Sequence, residues 1–320
     1  MSGRIAFVFP GQGSQQVGMG RALADAYPEA EAVLAEANDA FVRAAATPES
    51  PSLRGLLDDG PEDQLTLTEH AQPAILAVSV AAYRVLAARG LEPAFVAGHS
   101  FGEYSAHVAA GTFSLADSVG IVRHRGRYMQ DAVPVGAGAM AAIIGADDAL
   151  VEQACREAAQ GEVVSPSNLN APGQIVIAGH AAAVARASER ARALGAKRAI
   201  PLAVSAPFHC ALMLPAQERL EPELRALRTS TPRVPVVANV DAELKRDAAA
   251  GIDALVQQVS SRVRWVDVIQ RLAAEGVTHY VEVGPGAVLS GFIKRIQKNA
   301  HLVNFSAPEH LDAVLAACSN

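Results

Sequence analysis

The chain is poor in cysteine and has no long apolar run. Its 320 residues include three cysteines, and this odd, widely spaced set argues against a disulfide framework. No uninterrupted apolar span reaches membrane length, and a strand-like segment follows the first four residues directly, without the organisation of a signal peptide. We therefore expect a soluble protein of the reducing cytoplasm that does not contact a membrane.

Basic tracts, phosphate loops and metal motifs are also missing. The net charge is −6 and no basic run could follow a phosphate backbone, so we expect no nucleic-acid partner. The loop Pro10–Gln15 is rich in glycine, but it lacks the Gly-Lys-Ser/Thr ending of a P-loop and the spacing of a dinucleotide fingerprint. By itself it is interpreted as a turn. No HExxH or other ligand spacing occurs, so we expect no metal site.

The composition that remains favours a compact α/β enzyme. Half of the residues are hydrophobic, 19% are charged, and the chain shows no internal repeat. Buried strands are predicted over 5–9, 94–97, 234–238 and 279–283, with helices between them. The first of these helices is predicted over about 20–41.

The most informative stretch is Gly98-His99-Ser100-Phe101-Gly102. A strand-like segment precedes it and a helix-compatible run, 103–110, follows it. This context is typical of a nucleophile elbow, in which a serine on a tight strand-to-helix turn exposes its hydroxyl and the next backbone N–H faces a developing oxyanion. Small residues at both ends let the turn close.

The region after the predicted hinge Pro134–Gly138 has a different pattern. Strands and helices over 140–144, 147–159, 163–165, 174–178, 182–194 and 198–204 follow the order βαββαβ. This order indicates a ferredoxin-like unit. We expect a catalytic domain of residues 1–134 and 205–320, interrupted by a ferredoxin-like insert of residues 135–204.

A serine nucleophile needs a base, and nine histidines are available. His209 is favoured because it follows the last strand of the insert, where a loop can return to the main sheet. His99 is less suited, since neighbours on a tight turn point apart. Arg125 flanks the apolar stripe of a helix over about 115–130, and its position alone leaves open whether it reaches the surface, pairs with a carboxylate or faces the site.

Five motifs in this order resemble the malonyl-CoA:acyl carrier protein transacylases, and the match covers essentially the whole chain. They are FPGQGSQ (9–15), GHSFGEYSA (98–106), RGRYMQ (125–130), PFHC (207–210) and EVGPG (282–286).

The resemblance implies an α/β-hydrolase-like large domain with a ferredoxin-like small domain inserted, and a catalytic serine and histidine. Ser100 would be the nucleophile and His209 its base, with the backbone carbonyl of Gln258 as the third member. The backbone N–H groups of Gln12 and Phe101 would form the oxyanion hole.

The resemblance also implies the substrate contacts. Arg125 would pair bidentately with the free carboxylate of a malonyl group, and Phe208 would crowd an α-methyl branch. His99 and Met129 complete the predicted substrate-binding set. Phe101 stands where a smaller aliphatic residue is often found. A malonyl group would pass from coenzyme A to the phosphopantetheine thiol of an acyl carrier protein in a ping-pong cycle, without metal or redox cofactor.

Two other functions are compatible with this fold and these motifs: an editing hydrolase for acyl-carrier thioesters, and a non-catalytic subunit that docks carrier proteins. The motifs are shared between fatty-acid and polyketide pathways, and we expect a monomer. Since carrier proteins are usually acidic and this chain is net negative, docking would need a local basic surface. The candidates are Arg190, Arg192, Lys197 and Arg198 on the insert, and Lys294, Arg295 and Lys298 near the C-terminus. The alternative is that these side chains are ordinary solvent-exposed charges with no role in docking.

Overall fold

The computed structural model describes residues 4–45, 47 and 50–318 of the chain. The strands in this part are β1 (Arg4–Phe9), β2 (Phe95–Gly98), β3 (Gly138–Ile144), β4 (Val164–Ala171), β5 (Gln174–His180), β6 (Arg198–Pro201), β7 (Val236–Val237), β8 (Leu244–Lys245), β9 (Val277–Val283) and β10 (His301–Phe305).

The α-helices are α1 (Arg21–Ala26), α2 (Pro28–Arg43), α3 (Leu53–Asp58), α4 (Glu62–Thr66), α5 (Thr68–Ala87), α6 (Gly102–Ala110), α7 (Leu115–Asp131), α8 (Asp148–Ala158), α9 (Ala181–Ala193), α10 (Leu214–Arg225), α11 (Ala248–Gln258), α12 (Trp265–Ala274), α13 (Val288–Ile296) and α14 (Leu311–Cys318). None of these helices is long and apolar enough to cross a membrane.

The larger sheet has the strand order β10-β9-β1-β2-β7-β8, and only β8 runs antiparallel to its neighbour. Successive side chains of a strand point to opposite faces. In β1, Phe7 and Phe9 therefore join the core formed by α2, α5, α6 and α7, whereas Ala6 and Val8 pack with α12 and α13 on the other face. Helices on both faces explain why β1 is apolar and buried on both faces from Ala6 to Phe9.

The smaller sheet is antiparallel, with the order β4-β5-β3-β6. Its core face, which includes Ile143 and Ile177, packs against α8 and α9. The other face presents Met140 and Val176 toward the cluster around Cys210. The molecule thus has an α/β-hydrolase-like large part with a small ferredoxin-like part inserted. All four strands of the small sheet lie within 138–201, while the domain boundaries themselves stay a prediction.

Main-chain hydrogen bonds join strand β4 of the small sheet to the segment before α12, in addition to the chain crossings. The Leu169 N–H donates to the Val263 carbonyl over 2.9 Å, and the Val263 N–H donates to the Ser167 carbonyl over 2.8 Å. Arg295 of α13 adds a hydrogen bond to Gln174 in the small sheet. These contacts connect strand β4 to the large part along one side.

Four predicted elements differ clearly from the structure. The strand predicted over 163–165 continues to Ala171 as β4. The helix expected over about 20–41 is two helices, because Tyr27 is extended and Pro28 starts a new helix at its first position. The last strand of the small sheet ends at Pro201 rather than at 204. The strand predicted over 234–238 is only the two residues of β7, and β10 extends the sheet at the opposite edge.

Candidate active site

The elbow lies between β2 and α6. Ser100 has a φ of 55°, in the left-handed region that a non-glycine residue adopts only when its surroundings hold it there. A Cβ on Gly98 would lie 1.9 Å from the Gly102 carbonyl carbon, and one on Gly102 would lie 2.5 Å from the Phe9 oxygen. Both positions therefore require glycine, which is the physical basis of the motif spacing.

Ser100 and His209 meet directly. The Ser100 Oγ lies 2.7 Å from His209 Nε2, and His209 Nδ1 lies 2.9 Å from the backbone oxygen of Gln258. A carbonyl oxygen can only accept, so Nδ1 carries the hydrogen and Nε2 is left to accept the hydroxyl proton. The three residues predicted as a catalytic set thus form a connected chain of hydrogen bonds.

His209 is held as a neutral base. It is 3% exposed, and burial together with the charge of Arg125 lowers the pKa of its imidazole to about 3. Its φ of 60° is a second strained backbone position beside the first. Residues in such conformations concentrate at functional sites.

Arg125 is buried beside the nucleophile. Its side chain does not reach the surface: the residue is 1% exposed, and the amide oxygens of Gln72 and Gln258 accept from Nη1 and Nη2 over 2.9 and 3.0 Å. Nη2 lies 3.4 Å from the Ser100 Oγ. Within the described part of the chain no carboxylate is bonded to the guanidinium and Nε has no partner, so spare donors lie within reach of the serine.

Two backbone donors are available at the same place. No hydrogen bond within the described residues uses the N–H of Gln12 or of Phe101, and both residues line the cavity above Ser100. The loop of Gln12 is pressed against the elbow, since a Cβ on Gly11 would come 2.7 Å from the His99 oxygen. This position fits the two predicted oxyanion donors.

The cavity has a volume of about 330 Å³ and lies between the two sheets. His99, Met129 and Phe208, the predicted substrate-binding residues, line it, and their role in binding stays a prediction. His99 Nε2 is 2.8 Å from Asn170 Oδ1, so a side chain of the insert is fixed against the elbow. Other lining residues are Gln72, Met140, Asn168, Val176, Leu202 and Val204.

Three polar residues at the site were not found from the sequence. Gln72 lies inside helix α5, Asn239 follows β7, and Glu103 stands in the first turn of α6. All three are buried. The signal that could have found Asn239 is its place just beyond the carboxyl end of a parallel strand, where open α/β sheets bind ligands. Nothing in the local sequence distinguishes the other two.

An elbow serine with a paired histidine, two free backbone donors and a cavity can form and break an acyl ester. The sequence profile described as "Acyl transferase domain" matches residues 6–312. The chain is 50% identical over 313 residues to the malonyl CoA-acyl carrier protein transacylase of Salmonella typhimurium, covering 98% of this chain and 99% of that protein.

Solved structures agree with the sequence match. An acyl carrier protein S-malonyltransferase from Vibrio cholerae superposes with a TM-score of 0.93 at 47% identity, covering 97% of this chain and 99% of that one. A malonyl-transacylase in complex with its type II PKS acyl-carrier protein superposes with a TM-score of 0.93 at 44% identity, covering 98% and 99%. The chain belongs to the acyl transferase domain family.

Proposed function

We propose that this chain is a malonyl-CoA:acyl carrier protein S-malonyltransferase that works through a malonyl ester on Ser100. One observation supports the choice of acyl group: the buried Arg125 guanidinium, which is bonded to no carboxylate of the described residues, lies 3.4 Å from the Ser100 Oγ. The names of the relatives, at 50% and 45% identity over nearly the whole chain, support the same activity.

In the first half-reaction, His209 Nε2 takes the Ser100 proton while Oγ attacks the thioester carbonyl of malonyl-CoA. The backbone N–H groups of Gln12 and Phe101 donate to the resulting oxyanion, and one such donor is worth roughly 3–4 kcal/mol. The C–S bond then breaks, the protonated His209 returns its proton to the sulfur, and coenzyme A leaves. The Gln258 carbonyl stabilises the imidazolium through Nδ1 during this step.

In the second half-reaction, the phosphopantetheine thiol of an acyl carrier protein enters. His209 accepts the thiol proton, the sulfur attacks the ester carbonyl, and the Ser100–acyl bond breaks with return of the proton to Oγ. Both steps balance with the protein's own groups, so we expect no metal or redox cofactor. The solved complex of a relative with its acyl-carrier protein supports this class of partner.

Arg125 explains why the acyl group carries a carboxylate. In malonate a single methylene separates the carboxylate from the reacting carbonyl, which suits a cation placed beside the attacking oxygen. A planar guanidinium can bind the carboxylate through two parallel hydrogen bonds. An acetyl or long-chain group would leave these buried donors unpaired, at a cost of about 1–3 kcal/mol. Cytoplasmic localisation and a monomeric state remain predictions.

The test is to incubate the protein with malonyl-CoA alone and to map the adduct by mass spectrometry. We expect one malonyl ester on Ser100, which holo acyl carrier protein discharges faster than water does. Ser100→Ala should form no adduct, and Ser105→Ala, a buried serine of the same motif, should still form one. An ester on another residue would overturn the mechanism, and discharge mainly to free malonate would favour the hydrolase.

A further inference from the structure

Glu103 is a buried carboxylate that the proposed reaction does not use. It lies three residues after the nucleophile, and its side chain is 0% exposed. One oxygen, Oε2, accepts from the Asn239 backbone N–H over 2.9 Å and from Gln258 Nε2 over 2.8 Å. Burial raises the pKa of this carboxyl to about 7, because the ionised form is less stable in the protein interior than in water.

The two partners of Glu103 hold the elbow from both sides. Asn239 Oδ1 accepts the Ser100 N–H over 2.7 Å, and Asn239 Nδ2 donates to the Gly98 oxygen over 2.7 Å. Gln258 Nε2 also donates to the Ser100 backbone oxygen over 3.0 Å. The strained φ of Ser100 is thus maintained by the side chains of Asn239 and Gln258. Both residues donate to one carboxylate oxygen, Asn239 through its backbone N–H and Gln258 through Nε2.

Gln258 also connects Glu103 to Arg125 and His209 through hydrogen bonds. Its side-chain oxygen accepts from Arg125 Nη2, and its backbone oxygen accepts from His209 Nδ1. Glu103 Oε2 already accepts the Asn239 N–H, so it faces Gln258 as an acceptor and draws the amide NH₂ group toward itself. The Ser100 carbonyl and the Arg125 guanidinium favour the same orientation, with the amide oxygen toward the guanidinium. If the amide turned over, its NH₂ group would face Arg125 and lose that bond.

We propose that Glu103 is a positioning residue that fixes Asn239 and Gln258, and through them sets the places of Ser100 and Arg125 relative to each other. It touches neither substrate nor reacting atom. This inference rests on the proposed function, since it concerns how that site selects the malonyl group.

The decisive comparison is Glu103→Met against Glu103→Gln. Met keeps the approximate volume but removes the acceptor, whereas Gln can place its amide oxygen where Oε2 lies. We expect Glu103→Met to lower kcat/KM for malonyl-CoA by about 100-fold, as for a misplaced catalytic group. We also expect it to reduce the malonyl-to-acetyl ratio of ester formation by about tenfold, because the guanidinium loses its place. Glu103→Gln should retain most of the wild-type kcat/KM and most of the wild-type malonyl-to-acetyl ratio.

Glu282 provides a matched control for a purely structural effect. It is also 0% exposed, and it accepts from the backbone N–H groups of Leu289 and Ser290 at the start of α13. Glu282→Met should lower the Tm without changing the malonyl-to-acetyl ratio. If Glu103→Met lowers the Tm and leaves the ratio unchanged, Glu103 is structural only and the proposal is overturned.

Misfolding of Glu103→Met and failure of the proposed function can each be distinguished from failure of this proposal. If Glu103→Met does not fold, Glu103→Asp replaces it, since the shorter side chain withdraws the acceptor while keeping the charge; an unchanged ratio in that variant would again overturn the proposal. Failure of the proposed function itself would appear in the wild-type protein, as absence of a malonyl ester on Ser100.

Discussion

The parallel sheet and the antiparallel sheet contribute different groups to one cavity. From the large part come the polar groups that react or bind charge: Ser100, which is half-buried, and His209 and Arg125, which are buried. From the small sheet come apolar walls such as Met140 and Val176, and the amide side chains of Asn168 and Asn170. The strained, reactive serine lies at the carboxyl end of a parallel strand, whereas the antiparallel sheet supplies the wall that faces it.

The largest loss of activity should follow removal of the base, His209, from the large part. His209→Ala should slow formation of the Ser100 ester by about 10²- to 10⁴-fold, because general-base catalysis is removed while the serine stays in place. Rapid-quench measurement of the first turnover tests it. His310→Ala, far from the cavity, is the control. An unchanged rate would assign the base to another residue, with His99 next.

Arg125→Ala should affect one substrate more than another. We expect about a 100-fold loss in kcat/KM for malonyl-CoA and a much smaller loss for acetyl-CoA, since only malonate can use the bidentate pair. Arg123 is the matched control: it is buried on the same helix, but its guanidinium lies 3.8 Å from the centre of the Phe41 ring. Equal losses for both substrates would make Arg125 structural.

Lowering the pH should reduce the folding stability of the large part before that of the insert. Burial lowers the pKa of His107 to about 3, so the unfolded chain binds more protons than the folded one between pH 6.5 and 3, and stability falls as the pH falls through this window. Glu103, with its raised pKa, acts in the opposite sense between pH 4.5 and 7.

Because these two contributions oppose each other, the effect of His107 is best measured with a variant that removes its imidazole. His107→Phe should shift acid unfolding to lower pH, and hydrogen exchange corrected for intrinsic rates should show α6 losing protection at pH 4.5 before β3 and β5 do. Equal loss in both regions, or an unchanged midpoint in the variant, would contradict this.

The smallest effect concerns carrier-protein docking. Arg192, Lys197 and Arg198 on the insert are exposed, as are Lys294 and Lys298 near α13. Arg190 and Arg295 are left out because each already has a partner, Glu157 and Gln174 respectively. Reversal of either set to glutamate should raise the KM for holo carrier protein about two- to fivefold at low salt, with ester formation from malonyl-CoA unchanged. If neither set changes this KM, docking does not use these charges.

The elbow and the ferredoxin-like order could be predicted because each depends on local spacing. Strand alternation marks the sheets, and Gly98 is required by contacts within the elbow, although Gly102 is required by the more distant Phe9. The prediction of His209 followed instead from its place after the insert and from the family resemblance, since its bond to Ser100 spans 109 residues. Glu103, Asn239 and Gln72 were missed because their roles arise from contacts between segments 53 to 155 residues apart. The burial of Arg125 was undecided for the same reason, since helix periodicity places a residue on a face but cannot say what covers that face.

The bond pair between Val263 and strand β4 has a kinetic consequence. Main-chain bonds along one side, with Arg295 beside them, would have to break before the two parts could move apart there, so they oppose widening of the cavity. At about 330 Å³ the cavity is at the small end of ligand cavities, and we expect it to admit one thioester arm at a time. Coenzyme A would then have to leave before the phosphopantetheine arm enters, which would set the order of the two half-reactions.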